Sequence, residues 1–156
     1  MSEPEMFIRE VIRRAIANVQ AGGGPFAALV VYHGEILAVG TNRVTIDNDP
    51  TAHAEVVAIR EACRRLGHFQ LTGCDLYTSC EPCPMCLGAI YWARPSRVFY
   101  AATRHDAARA GFDDALIYEE LQRSGPERRI PFIHVPDRDA WAPFRVWLDH
   151  PERIAY

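Results

Sequence analysis

Three cysteines within seven residues, in the stretch TSCEPCPMC at 78–86, constrain this chain more than any other feature. Cys80, Cys83 and Cys86 recur at intervals of three, with Pro82 and Pro84 between them. A disulfide framework, a closed structural metal knot and a catalytic metal site would each crowd cysteines in this way. The chain has five cysteines, and its opening residues, MSEPEMFIRE, lack the apolar stretch of a signal peptide. No apolar run approaches the roughly 18 residues of a membrane span. The expected setting is therefore cytoplasmic and reducing, where cysteines bind metal or remain free thiols. Disulfides are the weakest of the three explanations.

The 156 residues suit one domain spanning 1–156. Apolar residues from Phe7 to Val19 recur at helical spacing and predict a helix over residues 5–20, ended by AGGGP. FAALVVY reads as a buried strand, HGE as a tight turn and ILAVGTN as its hairpin partner. RVTIDNDP reads as a loop, and HAEVVAIREACRRL as a second helix stopped by Gly67. DLYTS predicts a strand, PMCLGAIYWA a third helix and RVFYA another strand. A polar stretch follows, then a helix at ALIYEELQ, a further strand at IPFIHV and a final helix over residues 139–149. This order predicts an α/β domain with helices on both faces of one sheet. The net charge is −3, and the arginine pairs at 13–14, 64–65 and 128–129 are scattered. No basic stripe suited to a phosphate backbone forms, so nucleic acid is not an expected partner.

Zinc takes thiolate sulfur and imidazole nitrogen in a tetrahedron. Cys83 and Cys86 are separated on a helix by about 60° of rotation, so both face one point from its first turn. The positive end of the helix dipole there favours the thiolate. His53, in TAHAE, is the natural third ligand. On a regular helix His53 and Glu55 would point about 200° apart, so they share a site only if the helix starts near His53. Asp49, Pro50 and Thr51 provide start signals there. Glu55 would then stand beside the metal as a proton carrier for the attacking water.

The competing arrangement adds Cys80 to make a closed, catalytically idle Cys₃His site, the mark of a zinc-stabilised interaction module. Against it, Cys80 precedes the helix, Pro82 turns the chain after it, and Glu55 would have no task. The pairing of His53-Ala54-Glu55 with Pro82-Cys83-Pro84-Met85-Cys86 matches the H-x-E…P-C-x-x-C pattern of zinc-dependent deaminases.

The chain resembles the cytidine deaminase superfamily, and within it the small bacterial guanine deaminases. The segments NDPTAHAEVVAIR, LYTSCEPCPMCLGAIYWARP, VFYAA, DAARAGFDDALIY and RRIPF carry the likeness. The resemblance implies a three-layer fold, with a five-stranded mixed sheet between helices and one zinc per chain. It implies hydrolytic deamination of guanine to xanthine and ammonia, with Glu55 and Asp114 as catalytic residues. It also implies that Phe26, Asn42, Ala54, Trp92 and Tyr156 bind substrate. Without it, Asp114 reads equally as a solvated carboxylate or helix cap, Asn42 as a turn residue, and Phe26 and Trp92 as core. Guanosine, a triazine such as ammeline, cytosine and the adenosine of a tRNA remain alternative substrates. The resemblance further implies a homodimer in which the segment 137–156 crosses to the partner and Tyr156 covers its site; the bland alternative is a frayed terminus.

Overall fold

The computed structural model describes residues 1–156 as two compact units, Met1–Asp114 and Ala115–Tyr156. The first helix, α1 (Glu3–Gln20), starts earlier than its apolar periodicity predicts because Ser2 and Glu5 form a capping box. The Ser2 N–H donates to Glu5 Oε2 at 2.8 Å, and the Glu5 N–H donates to Ser2 Oγ at 3.4 Å. Strands β1 (Ala27–Tyr32) and β2 (Glu35–Thr41) form the predicted hairpin. His33 and Gly34 between them both have positive φ, 50° and 75°, as a type I′ turn requires.

The segment predicted as a loop contains a single helical turn, α2 (Val44–Asp47), closed by Asn48 in the left-handed conformation. Helix α3 (Ala54–Leu66) ends at Gly67 in the same conformation, φ 65°. Strand β3 (Cys74–Cys80), helix α4 (Pro84–Ala93) and strand β4 (Arg97–Ala102) follow as expected. A short helix, α5 (Arg104–Arg109), lies in the polar stretch after β4, where Thr103 and Asp106 make a second capping box. The second unit holds α6 (Ala115–Leu121), a 3₁₀ turn (Gly125–Glu127) and α7 (Ala142–Asp149).

The sheet runs β2-β1-β3-β4, antiparallel except for the parallel β3–β4 pair. Side chains alternate along β1, so its two faces build two cores. Ala27, Leu29 and Val31 pack with Tyr77 against Phe7, Val11 and Ala15 of α1. Ala28, Val30, Ala38 and Leu76 pack against Ala54, Ala58 and Ala62 of α3 and Ile90 and Ala93 of α4. The expected three-layer α/β architecture is present.

The strand count is four rather than five. IPFIHV forms no strand: Pro131 and Pro136 supply no N–H, and Phe132 N–H bonds to the Gly125 carbonyl at 2.9 Å in a turn instead of a ladder. Ile130, Ile133 and Val135 are 76%, 76% and 79% exposed, so the apolar pattern has no sheet face to cover here.

The alanine stripe of α3 lets its backbone approach β2 closely, and Gly40 is the point of contact. A Cβ there would overlap the Ala54 carbonyl oxygen and the Ala58 nitrogen and lie 2.9 Å from Ala58 Cβ. Gly40→Ala must therefore push α3 away from the sheet, at a cost of about 1–3 kcal/mol. Urea unfolding should show that loss as a lower midpoint; an unchanged midpoint would mean that the contact relaxes freely.

Candidate active site

The start of α3 resolves the angular conflict between His53 and Glu55. His53 is the N-cap, with extended backbone (φ −67°, ψ 153°), and Ala54 is the first helical residue. The imidazole thus leaves the chain before helical rotation begins, and Glu55 follows within the first turn. Cys83 repeats the device at α4: it is the N-cap, extended at φ −66° and ψ 169°, and Pro84 follows it in the first turn. Pro84 lacks the N–H that this position would leave unpaired. The Cys86 N–H donates to Cys83 Sγ at 3.5 Å, which seats the two sulfurs around one helix terminus.

His53 Nδ1 lies 3.5 Å from Cys83 Sγ and 3.5 Å from Cys86 Sγ. A tetrahedral zinc ion with ordinary bond lengths requires nitrogen–sulfur edges of about 3.6 Å. The three ligand atoms fall within 4.8 Å of one another, so the donor set and its spacing both fit zinc. Cys80 stays outside this group. Its thiol points to the Thr103 carbonyl oxygen at 3.7 Å, and burial raises its pKa to about 11. Three ligands therefore converge and the fourth cysteine does not.

The two thiols share one hydrogen bond, and it shifts them in opposite directions. Cys83 is drawn well below the usual thiol range, first by hydrogen bonding from Cys86 and then, against burial, by His53. Cys86 is pushed up by the shared hydrogen bond and by its burial. Ligation by both sulfurs requires the remaining thiol proton to leave. His53 is raised, mainly through its hydrogen bond with Cys83.

Glu55 is only 5% exposed, and burial raises its pKa. Its Oε2 lies 3.3 Å from Cys86 Sγ, beside the ligand cluster. Its Oε1 accepts a hydrogen bond from Thr78 Oγ1 at 3.0 Å.

These groups open into a cavity of about 480 Å³ whose lining includes His53, Ala54, Glu55, Cys83, Asn42 and Asp114. Asn42 is buried. Its Oδ1 accepts from the Val44 N–H at 3.2 Å, and its carbonyl accepts from Asn18 Nδ2 at 2.9 Å. Asn18 Nδ2 also donates to the Gly24 carbonyl at 2.8 Å, tying the end of α1 to the pocket wall. Gly24 carries no side chain because a Cβ would sit 2.8 Å from Asn42 Oδ1.

Phe26 lines the cavity and packs edge-on against Phe112, with ring centroids 4.9 Å apart. Asp114 is half-buried on the rim, and burial is the largest cause of its raised pKa. Trp92 does not line this cavity: it sits on α4, 63% exposed. Tyr156 ends the second unit, 72% exposed.

Phe112, Thr78 and Asn18 were not singled out by the sequence. Asn18 had a signal, since it falls on the apolar stripe of Val11 and Ala15. Thr78 and Phe112 had none, because their roles depend on which strand and loop meet them.

Residues 1–102 match the family profile of the cytidine and deoxycytidylate deaminase zinc-binding region. The chain is 55% identical to a guanine deaminase of Bacillus subtilis over 97% of its own length and 98% of that protein's. An X-ray structure of a guanine deaminase from Bacillus subtilis superposes with a TM-score of 0.96, at 55% identity, covering 97% of this chain and 98% of the other. A tRNA-specific adenosine deaminase of Aquifex aeolicus is 43% identical over a shorter span, 63% of this chain and 65% of that protein. With the ligand geometry in place, the conclusion is that this chain belongs to the cytidine and deoxycytidylate deaminase family of zinc-binding proteins.

Proposed function

We propose that this protein hydrolyses guanine to xanthine and ammonia. The observation that carries the reading is the single cavity in which Glu55, His53, Cys83, Asn42 and Asp114 meet, in a chain so similar along its whole length to a guanine deaminase. Zinc held by His53, Cys83 and Cys86 would supply Lewis acidity that makes water a nucleophile near neutral pH. Glu55 takes one proton from the attacking water and delivers it to N3; it then takes the remaining proton of the new C2 hydroxyl and gives it to the amine, which leaves as ammonia as the C2–N bond breaks and the C2 carbonyl of xanthine forms. Its burial between Thr78 and Cys86 fixes the carboxyl group beside the ligand cluster.

Guanine presents N1–H and its exocyclic amine as adjacent donors, and Asp114 is the carboxylate that accepts them. Asn42 hydrogen-bonds the purine, Ala54 lines its edge and Phe26 covers a face of the ring. The net charge of −3 gives no support to a tRNA substrate.

We extend the proposal to a homodimer in the cytoplasm, with the segment 137–156 exchanged between subunits. None of the five cysteines is joined in a disulfide, as a reducing compartment favours. The second unit exposes Phe132, Trp141, Phe144 and Val146 to 57% or more, and α4 exposes Tyr91 and Trp92 to 75% and 63%. Surfaces of this kind mark association. In that arrangement Trp92 and the partner's terminal tyrosine complete the substrate enclosure, which keeps water out and leaves little room for a ribose.

Ammonia release should be fast with guanine and slow with guanosine, cytosine, adenine and ammeline. Glu55→Gln should retain zinc and lose about 10²–10⁴-fold in kcat, since an amide cannot carry the proton. Asp114→Asn should impair guanine turnover far more than Asp113→Asn, with folding unchanged in both. Loss of zinc from Glu55→Gln would make Glu55 a ligand, and the opposite aspartate ranking would move substrate reading to Asp113.

Removing the last few residues, Tyr156 included, should leave zinc content intact and depress guanine turnover sharply. Light scattering should report a dimer for the full chain. Full activity after truncation, or a monomer, would contradict the exchanged lid.

A further inference from the structure

We infer that Thr78 is a positioning residue that holds the Glu55 carboxyl group for proton transfer, an inference that rests on the role given to Glu55 above. Thr78 is fully buried in β3. It shares its sheet face with Leu76 and with Ala28 and Val30 of β1, the face that packs against α3. Every one of those neighbours is apolar, so packing alone would place a valine at 78. A buried hydroxyl is costly unless it is hydrogen-bonded, and this one has two partners.

Thr78 Oγ1 lies 3.0 Å from Glu55 Oε1 and 3.0 Å from the Cys80 carbonyl oxygen. A hydroxyl has one proton to donate and lone pairs to accept with. Given to Oε1, that proton fixes one oxygen of the carboxyl group. The Cys80 carbonyl is the alternative acceptor for the same proton. Because Oε1 is held, Oε2 is the oxygen turned to the ligand cluster, 3.3 Å from Cys86 Sγ. The bond also ties the first turn of α3 to the sheet at the point where the chemistry occurs.

Thr78→Val keeps the shape and removes the hydroxyl. The zinc-loaded variant should keep its metal and the wild-type KM for guanine, while kcat falls at least about tenfold. Thr78→Ser should restore kcat to within a few-fold of wild type, which a purely space-filling role would not do. If Thr78→Val does not fold, Thr78→Ala compared with Thr78→Ser gives the same test. Glu55→Gln, measured beside them, separates the two claims. An inactive Glu55→Gln with a fully active Thr78→Val overturns the positioning role alone; a fully active Glu55→Gln overturns the reading it rests on. A kcat loss in Thr78→Val that serine does not rescue also overturns the positioning role.

Discussion

Two helices, α3 and α4, aim their N-termini at one point, and the site is built from what that convergence demands. Each terminus carries roughly half a positive charge. Two such ends facing one another repel unless anions lie between them. Cys83, drawn well below the usual thiol range, supplies negative charge there, and Cys86 and His53 complete the donor set. A zinc ion bound by two thiolates adds little net charge, so the same residues that quiet the helix ends also neutralise the metal. Both N-caps, His53 and Cys83, have extended backbone, which allows a side chain outside each helix to work with one inside its first turn.

The sheet holds this convergence in place. The stripe of Ala54, Ala58 and Ala62, with Gly40 beneath it, sets α3 close to β2 and fixes where His53 and Glu55 project. On the other wall, Asn18 reaches from α1 to the carbonyls of Gly24 and Asn42. The pocket is therefore coupled to both cores of the first unit. Its polar groups have little freedom, as preorganised acid–base chemistry requires.

The metal cluster was legible in the sequence because its information is local. Ligand spacing, helix-start signals and the chemistry of thiol and imidazole place His53, Cys83 and Cys86 without knowledge of the fold. Thr78, Phe112 and Gly40 depend on tertiary register, and nothing in their own neighbourhood marks them. IPFIHV has the apolar content of a strand, but a strand exists only with a partner to receive its hydrogen bonds. The short helix α5 was signalled by Thr103 and Asp106 at capping-box spacing, a cue masked by the polar residues around it. Trp92 and Tyr156 were read from resemblance alone, and both lie exposed on this chain.

The central claim is a three-ligand zinc site with a position left open beside Glu55, not a closed four-ligand knot. X-ray absorption at the zinc edge on the purified, metal-loaded protein tests it directly. The account predicts two sulfur neighbours at about 2.3 Å and two nitrogen or oxygen neighbours at about 2.0–2.1 Å, one of them exchangeable with a ligand from solution. Three sulfur neighbours with a single nitrogen would put Cys80 on the metal, close the site and contradict the account.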